Sequence, residues 1–217
     1  MENKKKSALI LGASGLVGSE VLSLSLESEQ YDKIIIVVRS PLTIKHNKLL
    51  QKTIDFNMPI WEEIFPVDHV YCCLGTTIKK AGSKANFIQV DHDYPLAFAA
   101  AAKKWESSIF SVITAAGVSP KSKIFYNNVK GQLEKKLQSL ALVSTLIFRP
   151  SLLLGERKEF RLGEKIGSGI AKVTSWMTPK TYRAIHCKAV AKAMLAESFS
   201  NKTGFNIISN KAMHRFS

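Results

Sequence analysis

Residues 33–39 read KIIIVVR, five consecutive β-branched residues with no polar residue among them. A strand with one wetted face alternates apolar and polar side chains. One without alternation is buried on both faces, and such strands belong to parallel sheets with helices on either side. Residues 7–12 (SALILG) form a similar run that ends in glycine. Between the two runs, Leu16, Val17, Val21, Leu22 and Leu24 recur at roughly helical spacing, which predicts a helix over about 15–27.

The alternation continues along the chain. Short strands are expected at 53–56, 68–74 (DHVYCCL, closed by Gly75), 109–114 (IFSVIT, ending at Ala115-Ala116-Gly117), 143–148 and 205–208. Helices are expected at 86–104, 123–140 and 185–198. Strands alternating with helices specify an α/β domain: a doubly wound, mostly parallel sheet with right-handed crossovers and helices on both faces. The 217 residues suit one domain spanning 1–217. Only 154–182, with Gly155, Gly163, Gly167, Gly169 and Pro179, breaks the alternation, and it reads as a small C-terminal appendage, a substrate or lid segment over the sheet edge.

Composition narrows the class. Hydrophobic residues make up 46% and charged residues 22%, enough for a core and incompatible with wholesale disorder. No window approaches 18 uninterrupted apolar residues, so no spanning helix is expected. The apolar run after the opening MENKKK is too short for a signal-peptide core, so no export signal is read. Three cysteines, Cys72, Cys73 and Cys187, are a poor disulfide framework and point to a reducing, cytoplasmic setting.

The net charge of +14 is unevenly spread: residues 1–110 carry 13 Lys/Arg against 12 Asp/Glu, and residues 111–217 carry 18 against 5. A basic half suits an anionic ligand or surface, or simply a solvated basic face. No nucleic-acid-binding motif accompanies the charge, so sequence-specific nucleic-acid binding is not expected. Trp176 and Ile170 among Lys165 and Lys172 would suit weak peripheral membrane contact or, better, a lid.

The turn Gly12-Ala13-Ser14-Gly15-Leu16-Val17-Gly18 joins the first strand to the first helix. There a pyrophosphate meets free backbone N–H groups and the positive helix end. Gly12 permits the turn, Gly15 lets phosphate approach the backbone, and Gly18 lets helix and sheet pack closely. The second strand ends at Arg39-Ser40, where NAD-binding units of the Rossmann type carry an acidic residue for the ribose 2′-hydroxyl. Arg39 would instead pair with a 2′-phosphate, which argues for NADPH. Asp55 and Phe56, after the third strand, would lie beside the adenine.

Tyr126-Asn127-Asn128-Val129-Lys130 puts a tyrosine and a lysine at positions i and i+4 of a helix, on one face. A free phenol is a poor acid–base catalyst at neutral pH, and a nearby lysine cation favours the phenolate. Thr114, at the end of the fifth strand, would hydrogen-bond a substrate carbonyl. His46, His69, His92, His186 and His214 are scattered without ligand spacing, so no metal is expected, and His186 reads as structural. Cys72 and Cys73 read as packing residues.

Together these pieces resemble the short-chain dehydrogenase/reductase superfamily, and within it the short, atypical members related to Tat-interacting-protein oxidoreductases. The carrying residues are GASGLVG at 12–18, VVRS at 37–40, CCLGTT at 72–77, Ala81-Gly82, Val90-Asp91 with Asp93-Tyr94, YNNVK at 126–130 and Phe148-Arg149-Pro150. The resemblance runs from about 7 to 200. It implies a Rossmann fold that binds NADPH. Gly12, Ser14, Gly15, Leu16 and Val17 would lie on the pyrophosphate, Arg39 with Ser40 on the 2′-phosphate, and Leu74, Gly75 and Thr76 along the adenosine ribose. Tyr126 and Lys130 would hold the nicotinamide ribose and act as proton donor and tuning cation. Arg149, Pro150 and the loop to Leu153 would flank the nicotinamide. Thr114 stands where the superfamily usually has serine, and Ala115 where close relatives keep a second serine.

The implied function is an NADPH-dependent oxidoreductase of a small carbonyl or alcohol, as a monomer or homodimer. The alternatives are a non-catalytic NADPH-binding sensor or scaffold, and a sugar-nucleotide epimerase or dehydratase. Some thirty residues at 154–182 enclose a nucleotide sugar poorly, which disfavours the last.

Overall fold

The computed structural model describes residues 4–56, 66–155 and 181–217. Seven strands form one sheet: β1 (Lys6–Leu11), β2 (Tyr31–Val38), β3 (Leu49–Thr53), β4 (His69–Cys72), β5 (Ile109–Ile113), β6 (Ser144–Arg149) and, last in sequence, β9 (Gly204–Ser209). Their order is β3-β2-β1-β4-β5-β6-β9, and all six pairings are parallel. Two short strands, β7 (Leu153–Leu154) and β8 (Ile185–His186), pair separately.

The unbroken apolar runs dictate the layering. In β1, Ala8 and Ile10 face one core, and Leu9 and Leu11 the other; in β2, Ile34, Ile36 and Val38 oppose Ile35 and Val37. The first core is covered by α1 (Leu16–Glu27) and α6 (Cys187–Ser198). The second is covered by α4 (Tyr94–Lys104) and α5 (Phe125–Ser139). Each fully buried aliphatic side chain contributes about 1.5–3 kcal/mol, so both faces must be covered for the sheet to form.

The differences from the sequence reading are local. The third strand lies at Leu49–Thr53, ahead of the expected 53–56, because the parallel register of β2 pairs Val38 with Thr53 and ends there. The expected 86–104 helix is three pieces: α3 (Lys84–Ile88), a π-helical segment (Gln89–Asp93) and α4. Ile185 and His186 belong to β8, and the following helix starts at Cys187 with His186 as its cap. Two four-residue helices, α2 (Ile78–Ala81) and α7 (Asn210–Met213), lie outside the expected helices. Most of the expected appendage, including Trp176, lies outside the described residues. Among the described residues no helix is long and apolar enough to cross a membrane.

Candidate functional site

Because every strand of the main sheet runs the same way, the segments after them gather along one edge. These are the glycine turn after β1, Arg39-Ser40 after β2, Leu74-Gly75-Thr76 after β4, Thr114 after β5 and Pro150–Leu153 after β6. The strand order reverses between β1 and β4. That is the crevice where open α/β sheets hold their ligands.

The glycine turn is built for close approach. Gly12 has φ +74°, and a Cβ there would lie 2.6 Å from the Cys73 carbonyl oxygen. A Cβ on Gly18 would come within 2.1 Å of the Gly12 carbonyl oxygen. The Gly15 amide donates to that carbonyl at 2.9 Å. Gly15 caps α1 without a side-chain hydrogen bond, and the first turn has no acidic residue. The amides of that turn therefore have no side-chain cap and suit an anion. Val17 is buried, so it can offer only its backbone, and Ser14 is exposed beside it. Arg39 and Ser40 are exposed at the end of β2. Asp55 is exposed too, and Phe56 packs on Tyr94 with ring centroids 5.3 Å apart.

From the glycine turn the contacts run without a gap. The Cys73 amide donates to Leu11, next to Gly12, at 2.9 Å. Two residues on, Gly75 lies beside Asp91, and a Cβ there would make van der Waals contact with its Oδ1 at 3.5 Å. The Thr76 amide donates to Asp91 Oδ2 at 2.8 Å. Asp91 Oδ1 lies 2.9 Å from Lys130 Nζ, and both side chains are buried. Lys130 Nζ in turn lies 5.6 Å from the centre of the Tyr126 ring. Burial would pull the Lys130 ammonium down, but Asp91 beside it, with Tyr126 and Cys72 adding less, leaves it above its ordinary range. Tyr126 is half-buried, with Phe87 against it at 5.7 Å.

Thr114 is placed differently from its expected use. Its hydroxyl donates to Glu134 Oε1 at 2.7 Å, and the residue is buried. Glu134 also accepts from Arg149 Nε at 3.0 Å and pairs with the rest of its guanidinium. With its only proton spent on Glu134, the Thr114 hydroxyl has none left for a substrate carbonyl. Arg149 is likewise turned toward Glu134. Pro150 is buried, with its carbonyl accepting from Ala116 at 2.8 Å, and Leu153 enters β7.

Asp91 and Glu134 are the residues that sequence reasoning left without a role. Asp91 carried only a resemblance, and its partner lies on another helix. Glu134 falls one turn beyond Lys130, so the spacing Tyr126, Lys130, Glu134 could have flagged it. His186 caps α6, its Nδ1 accepting from the Lys188 amide at 3.2 Å. Burial pushes the Cys72 thiol up to about 12 and Cys73 well above its ordinary range, as inert packing thiols.

No protein-family model matches the chain. Protein HTATIP2 of Rattus norvegicus is 33% identical over 220 residues, covering 97% of this chain and 88% of the relative. The chain belongs to the HTATIP2 family of atypical short-chain dehydrogenases/reductases. Protein FMP52, mitochondrial, of Eremothecium gossypii is 33% identical over 167 residues, 76% of this chain and 73% of the relative. Among solved structures, the UDP-N-acetylglucosamine 4-epimerase of Methanobrevibacter ruminantium, in complex with UDP-N-acetylmuramic acid, superposes with TM-score 0.73 at 17% identity. It is covered over 77% of its length by 95% of this chain. MoeE5, in complex with UDP-glucose and NAD, gives 0.71 at 13%, with 79% and 95% covered. These likenesses establish the Rossmann-type fold.

The expectation of a cytoplasmic protein is corrected by these relatives, since FMP52 is named as mitochondrial in several yeasts. Cysteine usage is a coarse guide to compartment. It reports reducing surroundings and does not distinguish one reducing compartment from another.

Proposed function

We propose that this protein is an NADPH-dependent oxidoreductase acting on a small carbonyl or alcohol. The observation that carries the reading is the buried Lys130 ammonium facing the Tyr126 ring at the sheet edge where the strand order reverses. The first turn of α1, without a side-chain cap, and the glycines at 12, 15 and 18 fit a pyrophosphate. Arg39, with no acidic residue beside it at the end of β2, fits a 2′-phosphate. A structural neighbour whose complex holds NAD supports a nicotinamide cofactor in a fold of this kind.

The bound nicotinamide would supply hydride chemistry. Gly12, Ser14, Gly15 and the amides of Leu16 and Val17 would hold its pyrophosphate, and Leu74–Thr76 with Asp55 and Phe56 its adenosine. Tyr126 would donate a hydrogen bond and then a proton to the substrate oxygen. Lys130 would stabilise the phenolate that remains and grip the ribose. Thr114 contributes through Glu134 and Arg149, bracing the wall beside Pro150–Leu153.

The test is cofactor choice. NADPH should bind more tightly than NADH, and Arg39→Ala should erase most of the difference, because a charge-assisted bond to phosphate is worth about 1.5–3 kcal/mol. Fluorescence titration measures both affinities. Equal affinities in the unaltered protein would sink the NADPH assignment, and binding of neither would sink the oxidoreductase reading.

A further inference from the structure

Asp91 occupies an uncommon position. It sits in the π-helical segment Gln89–Asp93 between α3 and α4, and such segments inside helices are frequent at functional sites. Its side chain is fully buried, and its two oxygens have different tasks. Oδ2 accepts from the Thr76 amide at 2.8 Å, and Oδ1 meets Lys130 Nζ at 2.9 Å. One carboxylate thus joins the loop after β4 to the helix that carries Tyr126. Gly75, next to Thr76, brings the loop into van der Waals range of the same carboxylate: a Cβ there would lie 3.5 Å from Asp91 Oδ1.

A buried ion pair is a poor device for stability, because desolvating two charges offsets most of their attraction. The pair is better explained by what it holds in place. We propose that Asp91 is a positioning residue that locks the Lys130 ammonium beside Tyr126 and the Leu74–Thr76 loop against α5, so that the two halves of the cofactor site form one rigid unit. This rests on the nicotinamide-cofactor reading of the site.

The surroundings of Lys130 leave Asp91 as the group that sustains its charge. From β4 it faces the Cys72 thiol, kept neutral by burial; from its own helix it faces the Tyr126 ring. Glu134, one turn along, is engaged with Arg149 from β6. His92 and Asp93, beside Asp91, pair with each other at 2.7 Å. Without the Asp91 charge, the burial that disfavours the ammonium would act unopposed by any other carboxylate held against it among the described residues.

The test uses the full chain and two independent readouts. Lysine-selective ¹⁵N labelling follows the Lys130 side chain by NMR from about pH 6 to about pH 10, with Lys130→Met assigning the signal. The unaltered protein should keep the ammonium signal throughout. In Asp91→Asn, which preserves shape and an acceptor oxygen, it should convert to the amine within that range. NADPH affinity should be flat over the same range in the unaltered protein and should weaken about tenfold with rising pH in Asp91→Asn. For the loop, Asp91→Ala is made in the Lys130→Met background, which leaves no unpaired buried charge, and the Thr76 amide should exchange with solvent about tenfold faster or more than in Lys130→Met alone. A Lys130 signal that titrates alike in the unaltered protein and in Asp91→Asn, or unchanged Thr76 exchange, overturns the proposal. If the unaltered protein binds no NADPH, the function proposed above fails, and the NMR and exchange results still decide for or against Asp91.

Discussion

Tyr126 and Thr114 illustrate how little a residue's identity settles until its hydrogen bonds are known. Both carry hydroxyls, and both sit at the edge of the sheet where a ligand would lie. Thr114 gives its proton to Glu134. Tyr126 stands half-buried with a buried cation facing its ring. Tyr126→Phe removes only the hydroxyl and leaves the ring packed on Phe87. NADPH affinity should then fall by about 0.5–1.5 kcal/mol, the worth of one hydrogen bond. Turnover of whichever carbonyl compound supports NADPH oxidation should fall by about 10² or more, the usual size of a lost general acid. Calorimetry and absorbance at about 340 nm, the nicotinamide band, make the pair of measurements. If turnover falls no further than affinity does, Tyr126 is a ribose ligand and no proton donor.

At the scale of elements, α5 is the piece on which the site depends. It presents Tyr126, Lys130 and Glu134 along one side, and it anchors the loop that follows Thr114. Asn128 Nδ2 and Gln132 Nε2 both donate to the Pro120 carbonyl, at 2.7 and 3.1 Å, and the Ser119 amide donates to Asn127 at 3.2 Å. Gly131 makes this docking possible, since a Cβ there would stand 2.2 Å from the Ser119 carbonyl carbon and 2.3 Å from the Pro120 nitrogen. Backbone atoms cannot rotate away as a side chain would. Gly131→Ala should therefore lift the loop off the helix and lower stability by about 1–3 kcal/mol, the cost of an overpacked contact. A urea titration checks it; a midpoint equal to that of the unaltered protein would mean that the loop has room to shift.

Across the whole molecule, the end of the sheet away from the site holds a buried polar group. Tyr31 Oη lies 2.7 Å from both His69 Nδ1 and Tyr71 Oη, with Phe199 against the His69 ring at 5.0 Å. Burial pushes Tyr71 up to about 12, holds Tyr31 far above its ordinary range, and pulls His69 down to about 4. His69 is therefore neutral in the folded state, while an unfolded histidine takes up a proton near its ordinary value of about 6.5. Between these values the unfolded chain binds more protons, so stability falls as pH drops from about 6.5 to about 4, by up to roughly 3 kcal/mol. Asp68, held below its ordinary range by Ser7 and Lys6 despite partial burial, continues the loss in more acidic solution. Urea midpoints across this range should show the decline, and His69→Gln should flatten its upper part. An equally steep fall in that variant would move the cause elsewhere.

The alternation of strands and helices, the glycine turn, Arg39 after β2 and the Tyr126–Lys130 pair were all legible in the sequence, because each rests on spacing within one short segment. Two unbroken apolar runs were enough to require a parallel sheet covered on both faces. The third strand is displaced from 53–56 because its ends follow from pairing with β2, and the break in the 86–104 helix is hidden because a π turn shifts the apolar phase by only about one residue. Spacing could flag Glu134 and the strand end Thr114, but the roles of Asp91, Glu134 and Thr114 were not legible. Each depends on which side chain of a distant segment arrives within hydrogen-bonding distance: Thr76 and Lys130 at Asp91, Thr114 and Arg149 at Glu134. Local pattern decides which elements form and which edge of the sheet bears the site. Which charges are paired there, and which hydroxyl keeps a proton to give, is decided only when the packed sheet brings those segments together.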